Sequence, residues 1–172
     1  TVFPFAFALA SLLRRDWDGW VKAAMPWTLF SVAVLGTGIL MGGAWAYESL
    51  SFGGFWAWDP VENMSFVPWL MVVAGLHTLL VYRYTKHSAL STYVFFILGF
   101  VLVLYSTYLT RSGRLGDTSV HSFTDDGLEP QLLAYLFFFI VGSFSLLLIR
   151  LFKGQIPVQK KDEDLMSREF WM

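Results

Sequence analysis

The sequence predicts an all-α integral membrane protein with about five transmembrane helices, and three observations carry that prediction. Apolar residues make up 56% of the 172-residue chain and charged residues only 15%, where soluble domains are about a quarter charged. Those charges are clustered, which leaves several apolar runs approaching the ~20 residues a helix needs to cross a bilayer. The runs lack polar positions at helical spacing, so they do not read as one-sided helices of a soluble core. The net charge of −1 carries little, because the placement of basic residues, not their sum, orients a membrane protein. With no cysteine in the chain, disulfides, thiolate metal sites and thiol chemistry on it are excluded. No basic segment precedes the first apolar run and no small-residue cleavage pattern follows, so no signal peptide is expected. The chain opens inside an apolar run without an initiating Met, and is read as a segment of a longer polypeptide.

The first run, Thr1 to Leu13, is short for a span and ends at Arg14-Arg15. Residues 14–26 form a charged, aromatic loop or surface helix with Trp17, Trp20 and Lys22. Pro26 starts the second run, Trp27 to about Tyr47, whose Gly36, Gly38, Gly42 and Gly43 suit close helix packing in lipid. The third span runs from about Met64 to Tyr82 and is followed by a short loop with Arg83, Lys86 and His87; the fourth covers roughly Ala89 to Leu109. A polar loop from Thr110 to Pro130 precedes the fifth span, about Gln131 to Ile149, and the tail from Arg150 is mixed-charge. There is no internal repeat and no low-complexity tract.

Basic residues fall mostly on one side. Loops on the Arg14 side collect Lys22, Arg83, Lys86, Arg150, Lys153, Lys160, Lys161 and Arg168, while the opposite side has only Arg111 and Arg114. That bias places the first group in the cytoplasm and the other loops on the outer face.

Between the second and third spans lies Gly53-Gly54-Phe55-Trp56-Ala57-Trp58-Asp59-Pro60-Val61-Glu62-Asn63, continuing to Trp69. Asp59 followed by Pro60 and Glu62 is a helix-start pattern: an N-cap, proline at the first helical position and a capping-box partner at the third. Tryptophans also belong at membrane interfaces for their own sake. Neither account covers the density of Trp45, Phe52, Phe55, Trp56, Trp58, Phe66 and Trp69 around one connection. A flat, wide, apolar ligand uses such a surface, and porphyrin is the candidate at a membrane edge. Its iron needs an axial ligand, and His121 is the one histidine on the outer side. Its propionates suit Arg111 or Arg114 as bidentate partners, and would be repelled by Asp59 and Glu62. His77, deep in the third span, is a functional candidate because ionisable groups are expensive there; it also fits a hydrogen bond to a neighbouring helix. His121 by itself reads equally as a surface histidine, and His87 as a solvated one without a role.

Residues 53–70, Gly-Gly-Phe-Trp-Ala-Trp-Asp-Pro-Val-Glu-Asn-Met-Ser-Phe-Val-Pro-Trp-Leu, resemble the tryptophan-rich "WWD" signature of haem-handling proteins in cytochrome c maturation. The Asp-Pro-Val-Glu-Asn form is similar to the CcmF branch rather than the CcsA or CcmC branches. Thr110-Arg111-Ser112-Gly113 with Ser119-Val120-His121-Ser122-Phe123 resembles the outer loop of CcmF after the next span, and Pro4-Phe5-Ala6-Phe7-Ala8 the segment preceding the signature. Ala46 and Ala57 stand where aromatic residues are common in the family, and Gly116-Asp117-Thr118 is a small variation.

The resemblance implies a bacterial inner-membrane protein, multi-pass, with the tryptophan-rich and His121 loops periplasmic. It implies a subunit of a cytochrome c haem lyase of the holocytochrome c synthase type, which attaches haem to the CxxCH thiols of apocytochrome c. His121 then corresponds to an iron ligand of the delivered, transient haem. The surrounding binding residues are Trp45, Trp56, Trp58, Asp59, Trp69 and Arg111. His77 corresponds to a ligand of a resident haem b that keeps the delivered iron reduced. The family's partner histidines fall before residue 1 and in later spans. Implied partners are a CcmE-like haem chaperone, apocytochrome c, a CcmH-like thiol-handling subunit, quinol and membrane lipid, with no nucleic acid. Residues 1–152 form the haem-handling domain on this reading, and 153–172 a cytoplasmic tail or linker. Two other functions fit the same residues: a CcsA-type haem delivery or export protein, and a structural docking subunit without haem.

Overall fold

Each apolar run of the sequence forms a helix. The structure is a computed structural model, and it describes residues 1–49, 54–119 and 127–157. These contain five α-helices: α1 (Val2–Arg14), α2 (Gly19–Ser49), α3 (Pro60–Thr85), α4 (Ala89–Arg111) and α5 (Glu129–Phe152). A single 3₁₀ turn, Gly116–Thr118, follows α4, and there is no strand among the described residues. Four helices, of 31, 26, 23 and 24 residues, are long and apolar enough to cross a membrane, and α1 is a shorter apolar helix. The chain is an all-helical membrane protein.

One boundary differs from the sequence expectation. α2 starts at Gly19 and carries Pro26 inside it, so residues 19–26 are not a separate loop or surface helix. Asp16 Oδ1 accepts from the Gly19 N–H at 2.7 Å and starts the helix. Trp20, Val21, Ala24 and Met25 are buried, and Trp20 stacks on Tyr93 at 5.3 Å between ring centroids. Burial of that face outweighs the backbone hydrogen bond that proline removes.

The helix order brings five helix ends together at a basic end. There Lys86 pairs with Asp18, and the Tyr82 hydroxyl donates to the Trp17 carbonyl at 2.8 Å. Arg150 of α5 donates from Nε to the Leu12 carbonyl at 2.9 Å and from a terminal nitrogen to Leu13 at 3.4 Å. A cation thereby satisfies two carbonyls left over at the C-terminus of α1.

The most extensive interface joins α3 and α4. Small residues make it close, as packing between helices in lipid requires. A Cβ at Gly75 would lie 2.5 Å from the Phe96 ring, and one at Gly99 would lie 2.9 Å from Val72. Thr92 Oγ1 donates to Thr78 Oγ1 at 3.0 Å across the same seam. The buried core, including Phe5, Leu12, Trp20, Leu79, Tyr82, Tyr93 and Phe96, is weighted toward the basic end. The opposite end is more open, and it holds the tryptophan-rich connection.

Candidate functional site

The N-terminus of α3 organises the open end. Asp59 is the N-cap, accepting from the Val61 N–H at 2.9 Å. Glu62 reaches back, and its Oε2 accepts from the N–H of Asp59 at 3.2 Å and of Ala57 at 2.9 Å. This is the capping box expected from Asp59-Pro60-Val61-Glu62. Both carboxylates sit at the positive end of the α3 dipole, which favours them there.

The box holds a strained residue in place. Trp58 has φ 57°, in the left-handed region, where an L side chain costs about 1–2 kcal/mol. Its carbonyl accepts from the Asn63 carboxamide at 3.0 Å, and the same carboxamide donates to Asp59 at 3.1 Å. The Trp58 indole is 71% exposed, with Trp56 edge-on beside it at 6.2 Å. Trp45, at the end of α2, is also exposed.

Two glycines of α2 seat rings from the connection and from α3. Phe55 lies over Gly43, where a Cβ would come within 2.4 Å of the ring. Trp69 lies over Gly36, with its Nε1 2.9 Å from where a Cβ would be, and donates that N–H to the Val32 carbonyl at 3.0 Å. Trp69 also stacks on Phe66 at 5.9 Å. Among the described residues, a Cβ at Gly38 or Gly42 would meet nothing within 4 Å. These two glycines line a cavity of about 270 Å³ with Leu35, Ile39, Trp45, Trp56, Val61, Glu62 and Ser65. Glu62 Oε1 is buried with no hydrogen-bond partner among the described residues.

The chain after α4 folds onto this structure. Ser119 is buried, and its hydroxyl donates to Asp59 Oδ2 at 2.8 Å. Arg114 donates from Nε at 2.9 Å and from a terminal nitrogen at 2.6 Å to Glu129 Oε1, which also accepts from the Tyr108 hydroxyl at 3.0 Å. Hydrogen bonding to Glu129 pushes the Arg114 pKa up. Arg111, the last residue of α4, is exposed at the same end. His121 lies outside the described residues, as do Phe52 and Gly53.

His77 sits elsewhere. It is exposed near the middle of α3, with Nδ1 2.8 Å from the Val73 carbonyl. A carbonyl only accepts, so Nδ1 is the donor in this contact and Nε2 is left outside it. Val67 and Leu70 are exposed on the same helix.

The structure thus gathers Trp45, Trp56, Trp58, Asp59 and Arg111 at one end, seats Trp69 deeper between α2 and α3, and leaves His77 apart. Sequence reasoning missed Ser119, Asn63 and the ring seats at Gly36 and Gly43. Helical spacing of seven puts Gly36 and Gly43 on one face, the signal that could have marked them. The bond from Ser119 to Asp59 has no local signature.

Four long apolar helices, with a capped tryptophan-rich turn at one end of the bundle, define a multi-pass membrane protein built around an exposed aromatic surface. Comparison narrows that class. The chain belongs to the cytochrome c assembly protein family, whose model matches residues 4–116. It is 45% identical over 148 residues to the cytochrome c-type biogenesis protein CycK of Rhizobium meliloti, and 44% identical over 148 residues to the cytochrome c-type biogenesis protein CcmF of Pseudomonas aeruginosa. Each alignment covers 85% of this chain and 22% of the relative, so the chain spans less than a quarter of their length. A solved structure, the cytochrome c heme lyase CcmF, superposes with a TM-score of 0.58 at 30% identity, covering 98% of this chain and 36% of that one.

Proposed function

We propose that the chain serves cytochrome c maturation by presenting haem on its tryptophan-rich turn for attachment to the CxxCH thiols of apocytochrome c. The observation that carries this reading is Trp58. An indole 71% exposed on left-handed backbone gains little packing from its own chain, and local strain of this kind collects at functional sites. A ligand that covers the ring supplies the missing contact.

The delivered haem is the substrate. Trp45, Trp56 and Trp58 form its platform, and Trp69 of α3, bonded to Val32 of α2, braces it through Phe66, which stacks on Trp69 and meets Trp56 edge-on. The Glu62 oxygen on the cavity wall, without a hydrogen-bond partner among the described residues, disfavours an anionic propionate there; Arg111, exposed at the same end, suits a propionate as a bidentate partner. His121 supplies the iron ligand.

His77 suits a resident haem b. Its Nδ1 donates to Val73, its Nε2 is left outside that bond, and apolar residues share its helix face. Bound there, the haem would supply one-electron chemistry that keeps the delivered iron reduced. The chain's own groups hold and orient; none is asked to act as nucleophile or general base. The tryptophan-rich end is periplasmic on this account, residues 1–152 are the haem-handling unit, and residues 153–172 are a tail or linker. Partners are a CcmE-like chaperone, apocytochrome c, a CcmH-like subunit and quinol. Haem titration of the full-length protein in nanodiscs tests the reading: Trp58→Ala weakens uptake, and unchanged uptake contradicts it.

A further inference from the structure

We infer that Asp59 is a positioning residue whose carboxylate holds the tryptophan-rich turn against the segment that follows α4, with Ser119 as its partner; the inference rests on the haem-presenting reading above. Capping α3 requires only that a side-chain oxygen accept the Val61 N–H. Asp59 Oδ2 does this at 2.9 Å and also accepts the Ser119 hydroxyl at 2.8 Å. The second bond joins residues 60 positions apart. It is charge-assisted, and its donor is only 7% exposed, so water competes poorly for it.

The geometry around the bond gives it a consequence for the turn. Trp58 immediately precedes Asp59, and both of their carbonyls accept from the Asn63 carboxamide. Displacing Asp59 therefore displaces the exposed indole. In the other direction, the segment carrying Ser119 is fixed a second time by Arg114, which pairs with Glu129 at the start of α5. Asp59 and Arg114 together tie the starts of α3 and α5 to one segment. A cap alone would fix the helix; this arrangement also fixes what the turn faces.

Ser119→Ala separates the two roles, because it leaves the Val61 bond intact. Haem is titrated into the full-length protein in nanodiscs and followed by its Soret band, with electron paramagnetic resonance of the bound ferric haem reporting ligand orientation. Ser119→Ala should bind haem about tenfold more weakly, the size expected for losing one bond to a charged group, and should show an altered resonance spectrum at unchanged helix content. Ser119→Thr should restore both, because it returns a hydroxyl donor to Asp59 Oδ2. Wild-type affinity and spectrum in Ser119→Ala overturn the inference while leaving the haem reading standing. Failure of Ser119→Thr to restore them also overturns it. A wild-type full-length protein that takes up no haem removes the haem reading and this inference with it.

Discussion

Replacing Trp58 by glycine and by alanine separates backbone strain from ring function, because the two variants are expected to differ in stability and agree in binding. Both remove the indole and its edge-on contact with Trp56. Only glycine also relieves the left-handed backbone at φ 57°. Relief amounts to about 1–2 kcal/mol, and the extra freedom of glycine in the unfolded chain takes back roughly 0.5–1 kcal/mol. Trp58→Gly should therefore be more stable than Trp58→Ala by about 0.5–1 kcal/mol, read from thermal denaturation in detergent. Binding follows the ring. An exposure of 71% on a side chain of about 250 Å² leaves roughly 175 Å² to cover. A haem covering half of that removes about 90 Å² from water, which at ~25 cal/mol/Å² is about 2 kcal/mol, or roughly 30-fold in affinity. Both variants should lose about that much in a haem titration. Haem affinity within about threefold of wild type in Trp58→Ala refutes the platform argument, and equal stability of the two variants refutes the strain argument.

The ring seats and the α1 cap give further tests. Gly36→Ala puts a methyl 2.9 Å from the Trp69 nitrogen and should break its bond to Val32, lowering stability by about 1–3 kcal/mol; a fluorescence shift of Trp69 in a variant retaining that one tryptophan reads it. Gly43→Ala meets the partly exposed Phe55 ring, which can swing away, so haem uptake should fall with less loss of stability than in Gly36→Ala. Arg150→Met removes the donor that caps the Leu12 and Leu13 carbonyls, and should lower the thermal stability by about 1–2 kcal/mol without changing haem affinity.

Four helices were legible because their apolar runs are long and bordered by charged residues, and α1 because its shorter apolar run stops at Arg14-Arg15. The start of α3 was legible because Asp59, Pro60 and Glu62 are a local pattern acting within one helical turn. The start of α2 was not, because a proline favours a boundary and only tertiary burial of Trp20, Val21, Ala24 and Met25 overrides it. The glycines of α2 read as surfaces for another helix. Gly36 does receive a ring of α3, whereas Gly43 receives Phe55 of the connection and Gly38 and Gly42 border a cavity, a distinction that depends on which side chains arrive. The left-handed backbone at Trp58 and the Ser119 hydroxyl on Asp59 depend on the cap and on contacts 60 residues apart. Neither leaves a trace in local spacing.

The central claim is that haem is handled at two places, the tryptophan-rich end and the exposed face of α3. Reduced-minus-oxidised spectra of the full-length protein, wild type and with His77→Ala or His121→Ala, test it most directly alongside the yield of mature cytochrome c. His77→Ala should remove a resident b-type signal, whereas His121→Ala should keep that signal and block maturation. Unchanged spectra and normal maturation in both variants would contradict the account.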